Sequence, residues 1–278
     1  MRNGPRPNLF VIGAMKSGTS SLHAALAAHP QIFMCREKEP DYFIEQRNWT
    51  KGESWYLSLF ARAGDKPIIG ESSTGYTKAP IFHGVLQRIL QFQPDARFVY
   101  IMRDPIERTI SHYRHNVWWE GERRDMLTAI CEKAHFRDVS HYAAQLAPYI
   151  EVFGRDRIYT LTLEELVAHP SKVFRELLAW LGVESSDAPQ SIQRRNVTPD
   201  KIPRARTGLG FLLRLQDSRV WNAATRLMPR GVRTIGLRLI AREADQSPQP
   251  VVQAIEFLRP NSIGTNAGPE SHARSPIS

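Results

Sequence analysis

The stretch from Gly13 to Ser21 brings a lysine, glycines and several hydroxyl groups to one corner of the chain. The apolar run Leu9–Ile12 predicts a strand, and Gly13–Thr19 predicts a turn before a helix. Hydroxyl groups surround Lys16, at Ser17, Thr19, Ser20 and Ser21. A helix N-terminus directs N–H groups and a partial positive charge at whatever lies above it, and Gly18 lets the backbone approach closely. The pattern predicts a site for a phosphate or sulfate group.

Two common nucleotide-binding loops do not match this turn. A Walker loop needs Gly, Lys and Ser or Thr as consecutive residues, whereas Lys16 here precedes Gly18. The dinucleotide fingerprint G-x-G-x-x-G is also missing from it. An ordinary strand-turn-helix corner rich in small residues is the other alternative, but such a corner needs neither a lysine nor a series of hydroxyl groups.

A second basic group follows the second strong strand signal. Ala96–Met102 is a nearly continuous apolar run, as a central parallel strand requires. Arg103 comes directly after it, and Pro105 suits the first position of a helix that carries Ser111. An arginine fork matches the oxygens of a terminal phosphate. The spacing predicts that Arg103 and Ser111 lie near the end of this strand.

A third group of residues is acidic. It comprises Glu37, Glu39 and Asp41. The aromatic pair Tyr42-Phe43 follows, and Pro40 stiffens the backbone next to Glu39. By itself the segment is interpreted as a solvated loop that its aromatic residues anchor.

Regular elements must position these three groups. Further strands are predicted at Gln31–Met34, Pro67–Ser73 and Arg157–Leu163. Further helices are predicted around Trp55–Ala61, at Lys78–Gln91, from Pro105 to Trp119, at Val139–Phe153, and at Glu164–Leu181 with a break near His169-Pro170. This alternation predicts an α/β fold of three layers, with a mainly parallel central sheet flanked by helices. Ligands of such sheets lie beyond the carboxyl ends of the strands, so the candidate residues are expected at one edge.

The composition describes an ordinary globular protein. A chain of 278 residues is long enough for one large domain, or for one domain with an appendage. The hydrophobic fraction is 42%, and no run approaches the ~20 apolar residues that span a bilayer. No secretory apolar segment precedes the first strand, so a cytoplasmic location is expected. Cys35 and Cys131 fit neither a disulfide framework nor a metal site.

Most of the net charge of +9 lies near the C-terminus. Nine arginines lie between Arg204 and Arg242, against a single acid, Asp217. This charge is weak evidence for nucleic-acid binding by the rest of the chain, and we expect no nucleic-acid partner. We predict an α/β domain over 1–207, an Arg-rich helical extension over 208–245 and a flexible tail over 246–278. The extension could pack on the domain or lie on an anionic membrane surface, and packing is favoured.

The loop Lys16–Ser21 and the later pair Arg103 and Ser111, each after a strand and in this order, resemble the sulfotransferases that use 3′-phosphoadenosine 5′-phosphosulfate. The resemblance covers about residues 9–182 and implies a P-loop-like fold. It implies that the first motif holds the 5′-phosphosulfate, through Lys16, Ser17, Gly18, Thr19, Ser20 and Ser21. It implies that Arg103 and Ser111 hold the 3′-phosphate, and that no metal ion is needed.

The segment Lys38–Phe43 resembles the Glu-x-x-x-Phe stretch of the heparan-sulfate-type and related bacterial enzymes, in which the Glu is the general base. The resemblance therefore implies Glu39 as the base. The phenol and steroid branch uses a later histidine, and the nearest one here, His83, lies in a helical pattern and is expected at the surface. Family members also use a basic loop near the C-terminus for the donor. Residues 187–207 are the candidate for that loop, with Arg204 as its donor-binding residue.

These observations predict transfer of a sulfuryl group from that donor to a hydroxyl or amine of a small-molecule or glycan acceptor, with a carbohydrate favoured. Lys16 would stabilise the charge that grows on the leaving oxygen, and Glu39 would take the acceptor's proton. Aromatic residues could bind the acceptor or equally belong to the core; they are Tyr42, Phe43, Trp118 and Trp119.

Two rival functions remain at this point. A P-loop nucleotide kinase would need magnesium ligands and a Walker lysine. A non-catalytic basic binding protein would act through the Arg-rich extension. The sequence does not indicate an oligomeric state.

Overall fold

Five parallel strands form the central sheet of this protein. The computed structural model describes residues 5–185, 189, 191–192, 203–205, 241–243, 252–255 and 257–258. In chain order the strands of the sheet are β1 (Leu9–Gly13), β2 (Ile32–Met34), β3 (Ile68–Ser72), β4 (Arg97–Met102) and β5 (Ile158–Thr162). Their order across the sheet is β2-β3-β1-β4-β5, and every neighbouring pair is parallel. The predicted parallel α/β sheet is thereby confirmed.

Helices connect these strands. They are α1 (Thr19–Ala27), α2 (Gly52–Ser58), α3 (Val85–Phe92), α4 (Pro105–His115), α5 (Met126–Glu132), α6 (His135–Asp138), α7 (Tyr142–Phe153), α8 (Leu163–Ala168) and α9 (Pro170–Leu181). Short 3₁₀ turns lie at Trp49–Lys51, Thr74–Thr77 and Arg155–Arg157, and Asn116–Glu120 continues α4 as a π-helical turn.

The sheet is covered on both faces, because side chains alternate along each strand. On one face Phe10 of β1 and Phe98 of β4 stack at 5.8 Å and meet the aromatic side chains of the segment after β2. On the other face Leu9 and Val11 pack against apolar residues of α1 and α9. Residues 9–13 are all buried. This arrangement confirms the three layers, since a parallel strand is buried on both sides.

The strand order places β1 in the middle of the sheet. After β1 the chain forms β2 and β3 on one side of it and later forms β4 on the other side. Strand β1 therefore pairs with both β3 and β4. The strand order reverses at β1, and a crevice opens there beyond the carboxyl ends of the strands. The turn after β1 lies in that crevice, with the segments after β3 and β4 on its two sides.

Several element boundaries differ from the predicted ones. The helix predicted from Lys78 begins only at Val85, because Pro80 lacks an N–H and Gly84 adopts a φ of 71° at the cap. The helix predicted at Trp55–Ala61 spans Gly52–Ser58, and the one predicted from Val139 begins at Tyr142. The predicted break near His169-Pro170 separates α8 from α9.

The C-terminal region is described in part. Pro203–Ala205 (β6) pairs antiparallel with Ala241–Glu243 (β7), in a two-stranded sheet of its own. The predicted extension over 208–245 was expected to be helical, yet Ala241–Glu243 form a strand because their backbone groups pair with β6. The rest of the extension lies outside the described residues. In the predicted tail, residues 252–255 and 257–258 are helical, and Ala254 and Leu258 are buried against α4, α5 and α6.

None of the helices in the described part of the chain combines the length and the apolar character that a membrane crossing requires.

Candidate active site

Three residues with left-handed backbone mark the site. Lys16, Glu39 and Asp41 have φ angles of 71°, 60° and 48°, and they are the non-glycine residues with positive φ in the described chain. A left-handed conformation costs an L-residue about 1–2 kcal/mol, so the surrounding structure must hold each of them. Such strain concentrates at functional sites. Here it coincides with the lysine and the acidic segment that the sequence singled out.

The turn between β1 and α1 is the segment for which the sequence predicts an anion site. Ala14 N donates to Ile101 O of β4 at 2.7 Å, and Ser17 N donates to Ala14 O at 3.1 Å, so the loop is fixed to the sheet. Gly18 caps α1 with a φ of 95°, and a Cβ there would approach Leu163 Cδ1 to 2.7 Å. Only glycine satisfies both conditions. The hydroxyl-bearing residues at this end of α1 are the buried Ser17, Thr19 and Ser21 and the half-buried Ser20.

Lys16 lies near two other cations, each of which follows a different strand of the sheet. The pKa of Lys16 is lowered to about 8, first because burial removes water from its ammonium group and then because Arg103 and Lys38 add like charge. Arg103 follows β4 and Lys38 follows β2. The sequence-predicted Lys16 and Arg103 are therefore brought together, and the concentration of positive charge suits an anionic ligand.

Arg103 and Ser111 lie on the β4–α4 side of the crevice. Asp104 caps α4 by accepting from Glu107 N at 2.8 Å, and Tyr142 Oη donates to Arg103 O at 2.7 Å, so the start of the helix is well fixed. The guanidinium of Arg103 pairs with the exposed Glu107 at 3.1 Å. Exposed pairs contribute only ~0–1 kcal/mol, so this one leaves Arg103 able to bind a phosphate. Ser111 is half-buried further along α4.

Glu39 is held against the carboxyl end of β3. Its Oε2 accepts from Thr74 N at 2.8 Å and from Thr74 Oγ1 at 3.0 Å, and its backbone N donates to Ser72 O at 2.9 Å. Its Oε1 accepts from Lys38 Nζ. Burial raises the pKa of Glu39, but Lys38 and the two Thr74 contacts outweigh burial and leave that pKa below its ordinary value. Glu39 is thus an ionised, oriented carboxylate, as a proton acceptor must be.

The other candidate bases fit less well. Asp41 is buried, and its Oδ2 is paired with Arg47. Burial nevertheless raises the pKa of Asp41, against the effect of Arg47. Glu37 is exposed in the same segment. His83 is exposed as predicted, although it lies in the turn before α3 rather than in a helix.

Two residues of the site escaped the sequence interpretation. Lys78 follows the turn after β3 and faces Glu39 and Asp41; burial lowers its pKa, while those two carboxylates oppose the change. The pKa of His115 is lowered to about 4 by burial and by the charges of Lys16 and Lys78, so its imidazole is neutral at neutral pH. His115 lies four residues after Ser111, on the same face of α4. This spacing was the signal in the sequence that could have identified His115. It also puts Ser111 on the face of α4 that carries His115.

The aromatic candidates divide between core and surface. Tyr42 and Phe43 are buried, and Tyr42 stacks on Tyr56 with ring centroids 4.3 Å apart. They therefore belong to the core. Trp119 is 67% exposed in the π-helical turn after α4. Arg204 lies in β6, and its side chain is outside what the structure describes.

The chain matches a protein-family model. A model described as the sulfotransferase family matches residues 45–187, which is just over half of the chain.

Several curated proteins are similar to parts of the chain. Membrane-associated sulfotransferase kil1 of Dictyostelium discoideum is 34% identical over 116 residues, which are 41% of this chain and 24% of that protein. Heparan sulfate glucosamine 3-O-sulfotransferase 3A1 of Mus musculus is 28% identical over 193 residues, which are 64% of this chain and 46% of that protein. The chain spans less than half of the length of each of these relatives.

Among solved structures, a sulfotransferase from Alicyclobacillus acidocaldarius is 31% identical with a TM-score of 0.61. The match covers 69% of this chain and 87% of that one.

Proposed function

This protein belongs to the sulfotransferase family, and from that premise we propose that it transfers a sulfuryl group from 3′-phosphoadenosine 5′-phosphosulfate to a hydroxyl or amine of an acceptor. The observation that carries the proposal is the convergence at one sheet edge. A cationic loop after β1, an arginine after β4 and a carboxylate after β2, which Thr74 at the end of β3 orients, meet there. The loop and the arginine follow the neighbouring strands β1 and β4, and the carboxylate is held by Thr74, which follows β3 on the other side of β1.

The residues present fit this donor. Gly18 leaves the backbone bare at the N-terminus of α1, where N–H groups and the helix dipole favour a 5′-phosphosulfate. Lys16 adds a full charge to that end. Arg103 and Ser111, on the other side of the crevice, would hold the 3′-phosphate through charge-assisted hydrogen bonds. The two anionic ends of the donor thus have separate partners on one edge of the sheet.

Lys16 would act on the leaving group. The donor supplies the sulfuryl group: the acceptor oxygen or nitrogen forms a bond to sulfur while the bond from sulfur to the phosphate oxygen of adenosine 3′,5′-bisphosphate breaks. Negative charge grows on that phosphate oxygen, so a fixed cation beside it stabilises the transition state. The strained backbone of Lys16 and the bonds from the loop to β4 hold the ammonium group in place.

Glu39 would take the proton of the attacking group. Thr74 fixes one carboxylate oxygen with two hydrogen bonds, and Lys38 fixes the other. Positioned bases typically contribute ~10²–10⁴-fold to a rate. The neutral imidazole of His115 and the ammonium of Lys78 face the same carboxylate, so both adjoin the acceptor.

A carbohydrate hydroxyl is the acceptor that we favour. The relative from Mus musculus acts, by its name, on heparan sulfate, and it matches 64% of this chain. Since Tyr42 and Phe43 belong to the core, an aromatic platform for a sugar ring would come from the half-buried Trp118 or the exposed Trp119. Sugar rings present an apolar face that an exposed indole can cover.

Thermal unfolding with nucleotides tests the donor. Adenosine 3′,5′-bisphosphate at a hundredfold excess over its Kd should stabilise the protein by ~2.7 kcal/mol, in the presence of a chelator. ATP with magnesium is the matched control and should give little stabilisation. Stabilisation by ATP and magnesium alone would favour the nucleotide kinase instead.

Transfer of labelled sulfate tests the reaction itself. The donor should label a desulfated heparan oligosaccharide more readily than a simple phenol at equal concentration. Labelling of the phenol alone would contradict the carbohydrate acceptor but not the donor. No labelling of any hydroxyl or amine, despite tight binding of adenosine 3′,5′-bisphosphate, would contradict the enzymatic proposal.

A further inference from the structure

Glu71 is a buried carboxyl group that the proposed chemistry does not use. It lies at the end of β3 with no exposed surface. Its Oε1 accepts from Tyr56 Oη and Tyr76 Oη, each at 2.7 Å, and its Oε2 accepts from Ser73 Oγ at 2.6 Å. Three hydroxyl donors on one buried carboxyl group form an organised network, and such a network fixes the orientation of each of its members.

The network reaches the acidic segment through Ser73. Asp41 N donates to Ser73 Oγ at 3.0 Å, and Ser73 is itself fully buried. A serine hydroxyl has one hydrogen and two lone pairs. Because Glu71 accepts that hydrogen, a lone pair of Ser73 is left facing Asp41 N. By accepting that hydrogen, Glu71 orients the Ser73 hydroxyl, and the oxygen of this hydroxyl accepts from the backbone N–H of Asp41.

Such support is needed because Glu39 and Asp41 both have left-handed backbone. The backbone N–H of Glu39 donates to Ser72 O, and the backbone N–H of Asp41 donates to Ser73 Oγ. Ser72, the last residue of β3, and Ser73, which follows it, thus hold the two strained positions. Tyr56 adds a packing contact, since its ring stacks on Tyr42. The carboxylate of Glu39 can face the acceptor only while this backbone is held.

We propose that Glu71 is a positioning residue for sulfuryl transfer, which holds the Glu39 segment in its reactive conformation through Ser73. This inference rests on the proposed function, in which Glu39 is the base. A Gln at position 71 would keep the shape, but one end of its amide is a donor. That donor would face Ser73 or the two tyrosines, which already donate, so one hydroxyl would lose its partner.

The network also predicts a dependence on pH. Burial raises the pKa of Glu71 to about 7, against the three hydrogen bonds that lower it. The groups that face Glu71 from the neighbouring elements are Tyr56, Tyr76, Cys35 and Asp41. The two tyrosines and the cysteine have raised pKa values, so they stay neutral near pH 7. Burial also raises the pKa of Asp41, but its Oδ2 is paired with Arg47. A protonated Glu71 gains an O–H donor and loses part of its acceptor capacity, so it no longer matches three donating hydroxyls, and transfer should fall as the pH decreases through about 7.

The experiment compares Ser73→Ala with Tyr149→Phe, since each removes one buried hydroxyl near the same turn. Tyr149 Oη donates to Tyr76 O at 2.8 Å and does not touch Glu71 or the acidic segment. The rate is measured with labelled donor and a desulfated heparan oligosaccharide, or with water as acceptor if the parent does not label the oligosaccharide. Ser73→Ala should lower kcat ~10–100-fold, as expected when a reacting group is misplaced by a fraction of an ångström to 1 Å. Its Kd for adenosine 3′,5′-bisphosphate should match that of the parent.

Tyr149→Phe should keep the kcat of the parent even where its Tm falls. The decline of kcat below about pH 7 should be present in the parent and in Tyr149→Phe and absent in Ser73→Ala. Equal kcat values for the two variants, or an unchanged pH profile in Ser73→Ala, would overturn the inference while the proposed function stands. A parent without any transfer would instead overturn the proposed function, and this inference with it. Glu71→Gln, where it folds, should reproduce the Ser73→Ala profile.

Discussion

Binding of adenosine 3′,5′-bisphosphate should draw a proton onto Lys16. The pKa of Lys16 is about 8 in the ligand-free protein, so about half of the molecules carry a neutral amine at that pH. An anion in the loop favours the charged form and raises this pKa. Binding near pH 8 should therefore take up about half a proton per site, and the uptake should approach one at about pH 9.

Calorimetry in two buffers with different heats of ionisation measures this uptake directly. The apparent binding enthalpy of the parent should differ between the buffers near pH 8. Lys16→Met should remove the difference, whereas Lys172→Met, at an exposed lysine of α9, should keep it. No buffer dependence in the parent, or the same dependence in Lys16→Met, would show that Lys16 does not carry the titrating charge.

The same lowered pKa makes a prediction about stability. Between about pH 8 and 10.5 the folded protein binds fewer protons at Lys16 than the unfolded chain does, so stability rises with pH through that window. Below it, the charged Lys16 destabilises the ligand-free fold by about 1–2 kcal/mol, after allowance for its partial exposure. Lys16→Met should thus raise the Tm at neutral pH by several degrees. A lower Tm would refute the argument from burial.

Three further predictions follow from the described contacts. Arg103→Ala should weaken adenosine 3′,5′-bisphosphate ~10–100-fold and adenosine 5′-phosphate hardly at all, as measured by calorimetry, because only the former has a 3′-phosphate; equal losses would make Arg103 structural. Glu39→Gln should slow transfer by at least ~10²-fold with donor affinity intact, whereas His83→Ala should stay active, and the reverse result would move the base to His83. Leu258→Ala should lower the free energy of unfolding by ~2–3 kcal/mol in urea, because Leu258 is buried against α4 to α6; an unchanged midpoint would contradict that docking.

The sequence predicted the sheet well because its strands are short apolar runs bounded by turn residues. The runs at Leu9–Ile12 and Ala96–Met102 became the central strands β1 and β4. The strand order could not be predicted in the same way, since no local pattern states which strands pair. The helix predicted from Lys78 was too long at its start, because the spacing of apolar residues does not show that Gly84 adopts a left-handed backbone.

The candidate site was predicted from motifs that lie directly after strands. Lys16 and Arg103 meet as expected, because carboxyl ends of parallel strands share one edge. The residues missed, Lys78 and His115, face Glu39 only through tertiary packing, and neither belongs to a motif that the sequence analysis recognised. Glu71 lies within the predicted strand Pro67–Ser73 and belongs to no motif. Its part in holding the acidic segment depends on contacts between residues that are distant in sequence.

The charged groups around the loop after β1 differ from those around Glu39. On the donor side the groups are cations: Lys16, Arg103 and, behind the loop, Arg108. Arg108 is fully buried, and its guanidinium donates to Ser140 Oγ at 2.6 Å and to the Phe136 carbonyl; within the described residues no carboxylate forms a hydrogen bond with it. Burial lowers its pKa to about 10, so it stays charged at neutral pH. These neutral acceptors offset part of the cost of burying the cation, and an anion bound nearby would offset more. The ligand-free domain therefore holds several positive charges around its loop, while Glu39, the proposed proton acceptor, lies beside Lys38 and Lys78.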